Sequence, residues 1–237
     1  MPGFKTHITA SSLLGAGYGG AACFAYGIPW PACVLAGGLC GVSGMLPDMD
    51  SDSGRPLHES MAFAAAVVPM MMLHRFQRWG LSQELIILAA AAIYLLIRFG
   101  VTALLKRYTV HRGMFHSLPA AVVFGEIAYL LSSGDDERIR WFKAGAVVLG
   151  YLSHLVLDEI YSFQWRGGRL RMKNSFGTAL KLFGRDHWAN ISVYAKLLIL
   201  TAVILFEPQW TQTADRSGNL TSVQQSATRV INRILHR

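Results

Sequence analysis

His154 and Asp158 stand four residues apart in Gly150-Tyr151-Leu152-Ser153-His154-Leu155-Val156-Leu157-Asp158-Glu159, at the end of an apolar run that begins near Phe142. On a helix that spacing projects both side chains from one face. A neutral imidazole beside a carboxylate is a good ligand pair for a hard or borderline divalent metal. Taken alone, the pair reads equally as a helix-end histidine over a helix-stabilising acid. The positions of the other histidines and aspartates decide between these readings.

Asp48 and Asp50 follow Pro47 in an acidic turn, Leu46-Pro47-Asp48-Met49-Asp50. Carboxylates at i and i+2 in a turn can face one ion, or one of them can bridge two; the plainer alternative is a solvated turn with capping acids. His111-Arg112-Gly113-Met114-Phe115-His116-Ser117 offers two imidazoles with a glycine between them that allows a bend. Ser117 is placed to cap the helix that follows. The alternative there is a pair of interfacial histidines near lipid headgroups. His7 stands near the N-terminus, and its claim depends on the others. His58 is a weaker candidate, and His74, His187 and His236 are weaker still.

These ligands need elements to carry them. Hydrophobic residues make up 52% of the 237 residues, charged residues only 15%, against about 25% in a soluble domain. Mean hydropathy is +0.34. The apolar residues are gathered in long runs, so the expected architecture is an all-α, polytopic membrane bundle of about six to seven helices. The candidate spans are 8–26, 30–46, 59–73 (short, with Pro69 inside), 81–105, 118–131, 141–160 and 189–206. Residues 1–207 then form a membrane-embedded domain, and 208–237 a polar tail in which 223–235 could be a short amphipathic helix. Gly37, Gly38, Gly41 and Gly44 suggest close helix packing in the first hairpin. Cys23, Cys33 and Cys40 lie in apolar surroundings without C-x-x-C spacing and read as small buried residues. The N-terminus runs directly into apolar sequence, and no small-residue cleavage site is evident.

If the helices alternate in direction, His7, Asp48, His111, His116, His154 and Asp158 all emerge on one side. Scattered structural histidines have no reason to do so. The formal net charge is +8, from 22 basic and 14 acidic residues. The basic residues are spread over loops with no compact basic helix, so nucleic-acid binding is not expected. More of them fall on the ligand side (Lys106, Arg107, Arg112, Arg166, Arg169, Arg171, Lys173 among them), which the positive-inside rule makes cytoplasmic. The Arg166–Lys173 cluster fits anionic lipid contact at least as well as substrate binding. Arg98 and Glu126 are ionisable residues inside apolar runs, paired with each other or marking a polar cavity.

Together, His7, Leu46-Pro47-Asp48-Met49-Asp50, the 111–117 motif and the 150–158 motif resemble the LexA-regulated inner-membrane metal-dependent hydrolase family, over about residues 3 to 187. The resemblance implies a bacterial inner-membrane protein with metal-dependent hydrolase activity. A more distant similarity is to the zinc-dependent phospholipase C and S1/P1 nuclease group, whose helical enzymes use His and Asp ligands. That likeness implies His7, Asp48, His111 or His116, His154 and Asp158 as ligands. The chain departs from the group in lacking a second H-x-x-x-D pair and in being membrane-embedded.

The expected ligand set is His7, Asp48, Asp50, His111, His116, His154 and Asp158. Without cysteine it suits Zn²⁺, Mn²⁺ or Fe²⁺, with zinc first, and it is large enough for two or more ions. Such sites activate water and clamp phosphoryl oxygens. The expected activity is hydrolysis of a small-molecule or lipid phosphoester, with Asp50 as the base and Arg112 holding the phosphate. The alternative is a non-enzymatic membrane protein, either a metal-ion transporter or a structural partner; a transporter places its ligands near mid-bilayer, whereas these lie at helix ends.

Overall fold

The structure is a computed structural model that describes residues 3–50, 54–108, 116–134, 136–166, 169–172, 180–184 and 186–207, with the side chains of 50, 55, 107, 108 and 163–172 outside the description. It falls into two units, Met1–Leu197 and Leu198–Arg237. In the first, α1 (Phe4–Tyr26) and α2 (Trp30–Ser43) form a hairpin, followed by a 3₁₀ turn at Leu46–Asp50. Then come α3 (Arg55–Met71), α4 (Leu73–Arg78), α5 (Gln83–Leu95), a π-helical segment (Leu96–Val101) and α6 (Thr102–Tyr108). The chain continues through α7 (Leu118–Leu131) and α8 (Glu137–Ile160). The last apolar helix, α9, is His187–Glu207, and its final turns belong to the second unit.

The architecture is an all-α bundle, as the runs of apolar residues imply. One departure lies in the long basic connection: it contains an antiparallel hairpin, β1 (Phe163–Arg166) with β2 (Arg169–Met172), in register Phe163↔Met172. Alternating aromatic, polar and basic residues suit a two-stranded ribbon, a pattern too short to stand out from a loop. The expected helix over 223–235 lies outside the described residues.

Helix limits follow local chemistry. Ser82 caps α5, Ser117 caps α7 and Asp136 caps α8, each side chain accepting a backbone N–H of the first turn. Gly27 ends α1 in the left-handed conformation, at φ 62°. Pro69 is accommodated inside α3, which stops at Met71, two residues later. The helices Pro56–Arg78, Gln83–Lys106 and His187–Glu207 are long and apolar enough to cross a membrane.

Side-chain size sets how the bundle packs. The buried stripe of α1 is His7, Ser11, Gly15, Gly19 and Ala22, small residues at helical spacing. It lets α1 lie directly on α2, where a Cβ at Gly15 would run into the Gly37 carbonyl. Beside that contact, a Cβ at Gly150 of α8 would strike the Cys40 carbonyl and the Ser43 hydroxyl of α2. Tyr18 of α1 stacks on Phe142 of α8 and donates to its carbonyl at 3.1 Å. Tyr151 and Leu155 of α8 pack with Ala120 and Ala121 of α7. Cys33 and Cys40 are buried in this packing, with Sγ 3.5 Å from the carbonyls of Ile28 and Ser11.

Contacts fix the direction of each helix. Ser133, just beyond α7, donates its N–H to the Met71 carbonyl at the end of α3, 2.9 Å away. Arg98 in the π-helical segment reaches His58 in the first turns of α3. The starts of α1, α3 and α7 and the ends of α2, α6 and α8 therefore share one end of the bundle.

Candidate metal centre

Four helices and the 3₁₀ turn deliver the site. His7 closes the first turn of α1, and Ser11 one turn further on ties this stretch to α2: its hydroxyl lies 2.9 Å from the His7 carbonyl and 2.7 Å from that of Gly41. Beyond α2, backbone bonds Met45 N–H to Val42 and Asp48 N–H to Met45 wind the chain into the turn that presents Asp48. His116 immediately precedes Ser117, the cap of α7, so the cap fixes where it stands. His154 and Asp158 project together from the last turns of α8.

The side chains converge. His154 Nε2 is 3.6 Å from Asp48 Oδ1 and 3.5 Å from Asp158 Oδ2. His116 Nε2 is 3.4 Å from Asp48 Oδ1 and 3.8 Å from Asp158 Oδ2. His7 Nε2 is 3.5 Å from Asp158 Oδ1. The rings of His7 and His154 stack with centroids 3.7 Å apart. Two overlapping groups with metal-holding geometry result, His7–His154–Asp158 and Asp48–His116–His154.

These separations exceed those of direct charge-assisted hydrogen bonds, about 2.7–2.9 Å. They match ligand atoms around a tetrahedral ion: metal–ligand bonds of about 2.0–2.1 Å put neighbouring ligand atoms about 3.4 Å apart. Orphaned atoms support the fit. His154 Nε2, Asp158 Oδ1 and both ring nitrogens of His116 are buried without a hydrogen-bond partner. Each such atom carries a desolvation penalty of about 1–3 kcal/mol, which a shared cation would offset. The second nitrogen of His154 is already committed: Nδ1 lies 2.7 Å from the Gly44 carbonyl. Its N–H donates there, which fixes the tautomer and turns the Nε2 lone pair inward, the usual support for a metal-binding histidine.

His7, His154 and Asp158 are buried, whereas the Asp48 side chain keeps 29% exposure. Asp48 therefore marks the mouth. Burial pushes its carboxyl pKa up, but the neighbouring imidazoles of His116, His154 and His7 outweigh this and hold it below the ordinary value.

Of the residues predicted from sequence, the structure brings His7, Asp48, His116, His154 and Asp158 together. Asp50 closes the same 3₁₀ turn, and its side chain lies outside the described residues, as do His111 and Arg112. His58 and Arg98 belong elsewhere: Arg98 bonds His58, so the suggested pairing of Arg98 with Glu126 gives way to an Arg–His contact. His187 is exposed at the start of α9. Sequence reasoning missed the Gly44 carbonyl, because a backbone acceptor has no signature in residue type. Its only trace was the run of small residues that lets α8 approach α2.

The fold and the cluster define a helical membrane protein with a buried, one-sided His/Asp cluster suited to a divalent cation. The chain matches the YdjM inner membrane protein family over residues 1–206 and belongs to that family. No curated protein and no solved structure matches it.

Proposed function

We propose that this protein is a multi-pass, membrane-embedded, metal-dependent hydrolase, with its site at the cytoplasmic side and a phosphoester, such as a lipid headgroup, as substrate. The observation that carries the reading is the orphaned Nε2 of His154. It is buried, aimed at two carboxylates at 3.5 and 3.6 Å, and pinned in that direction by the Gly44 carbonyl. A backbone carbonyl holding the far ring nitrogen is the usual support of a metal-binding histidine.

His7, His116, His154, Asp48 and Asp158 would hold the ion or ions. Zinc is the first expectation, manganese or iron the alternatives, since the donors are imidazole and carboxylate. When bound, a divalent ion supplies Lewis acidity toward a phosphoryl oxygen and acidifies a water to nucleophilic strength. The chain's own residues do the rest. Burial of His7, His154 and Asp158 excludes bulk water from the inner wall, while Asp48 at the mouth faces an incoming group. Asp50 and Arg112 are the proposed base and phosphate-holding cation, and membrane lipid the proposed surrounding partner.

Plasma mass spectrometry of detergent-purified protein tests the centre. At least one ion per chain is expected, with loss in His154→Ala and Asp158→Asn. A panel of phosphodiesters and phospholipids then tests the reaction. Wild-type protein free of metal, or variants with unchanged metal and turnover, would sink the reading.

A further inference from the structure

Arg98 is a charge in an unfavourable place. It lies in Gln83–Lys106, the most hydrophobic of the membrane-length helices, at mean hydropathy 2.2 with only 6% of that window buried inside the protein. Its neighbours Leu95, Leu96 and Phe99 are exposed apolar side chains. An unpaired cation is costly in such a setting and is tolerated when it reaches the interface or an anionic partner.

The structure shows where it reaches. The guanidinium donates to Nε2 of His58 at 2.7 Å and sits 3.5 Å from the His58 carbonyl. His58 stands in the first turns of α3, so the side chain extends toward the end of the bundle that holds the metal centre. Its ring accepts as a neutral acceptor, and among the described residues no carboxylate pairs with Arg98; the positive charge is oriented but not cancelled. The π-helical segment Leu96–Val101 contributes to the placement. Such a segment adds a residue to the turn and re-aims its side chains, a feature frequent at functional positions. Ile97, Val101 and Leu105 pack inward on Met49 and Leu57. Arg98 is therefore at the border between the packed face and the apolar exposed face.

We propose that Arg98, oriented by His58, binds the phosphate of a membrane phospholipid whose acyl chains lie along Leu95, Leu96 and Phe99. A guanidinium fixed by a neutral ring retains N–H donors in fork geometry for phosphate oxygens. The apolar flank distinguishes a lipid from a free phosphate. Ile97, Val101 and Leu105 pack against the cluster of Met49, Leu57 and Met61, and His58 stands in the first turns of α3, so the bound headgroup would lie toward the end of the bundle that holds the metal centre. The site does not depend on the metal centre or on hydrolysis.

The test uses full-length protein, delipidated in mild detergent and titrated with phosphatidylglycerol, read by native mass spectrometry and thermal unfolding. Wild type is expected to bind one lipid tightly and to gain melting temperature. Arg98→Leu should bind about tenfold or more weakly, the loss expected for a charged hydrogen bond, and lose the thermal gain while keeping its metal content. Arg98→Lys keeps the charge without the fork and should fall between, which preserves the test if the leucine variant unfolds. Equal lipid affinity in wild type and Arg98→Leu, or in wild type and Arg98→Lys where the leucine variant does not fold, overturns the proposal. So does competition by inorganic phosphate at lipid-equivalent concentration, which would assign a soluble phosphate instead.

Discussion

The α1–α2–α8 packing and the α5 helix solve opposite problems with the same apolar alphabet. In the first, small residues bring three backbones so close that hydroxyls of one helix reach carbonyls of another, as Ser11 of α1 reaches Gly41 of α2. In the second, large side chains such as Ile87, Leu88 and Leu95 point outward, and little of the helix is buried inside the protein. Hydropathy alone does not separate the two. What separates them is side-chain volume, because lipid tails solvate leucine as well as a protein interior does and so leave close packing and polar contacts to hold helices together. The cluster of His and Asp sits where the backbones are closest, so that Gly44 can lend its carbonyl to His154.

Gly150→Val is the largest expected break in that comparison. The added side chain meets the Ser43 hydroxyl and the Cys40 carbonyl of α2, and the carbonyl, a backbone atom, cannot move clear without moving the helix. A loss of about 3 kcal/mol or more is expected, read as a collapse of the thermal transition in detergent together with loss of bound metal. A normal transition would mean that α8 and α2 are farther apart than the structure places them. Next in size is metal removal. Chelation should lower the melting temperature, since a ligand at a hundred times its dissociation constant contributes about 2.7 kcal/mol. His154→Ala should melt at the same temperature with or without chelator. Smaller again is Ser11→Ala, which deletes the hydroxyl bridging α1 and α2 and should cost about 1 kcal/mol, measured by the same unfolding assay, without emptying the centre.

Much of the site was legible because its ligands obey two periodicities. His154 and Asp158 share a helix face through their i, i+4 spacing, and His7, Asp48 and His116 share an end of the bundle through the alternation of apolar runs. The cap at Ser117 was legible for the same local reason. What could not be read depends on backbone. The Gly44 carbonyl has no side chain to betray it, the π-helical segment that aims Arg98 differs from α-helix by about one residue per turn, and the paired strands β1 and β2 are too short to separate from a basic loop. Arg98 illustrates the limit: its cost inside an apolar run was plain from sequence, but whether Glu126 or His58 answered it required the helices to be placed.

The smallest expected effect probes the other region. Leu88 is 65% exposed on α5, in a stretch of which little is buried inside the protein. A Leu→Ala change in a packed core removes contacts and leaves a cavity, at about 2–5 kcal/mol. At Leu88 the contacts are with lipid or detergent tails, which close over the missing methyls, and alanine and leucine are both good helix formers. The change should therefore shift stability by less than about 0.5 kcal/mol, measured by thermal unfolding in one detergent at fixed protein concentration. A loss near the core value would mean that this face is packed against protein, with a second copy of the chain the first candidate. The contrast between a close-packed side and a lipid-facing side would then hold only for the isolated chain.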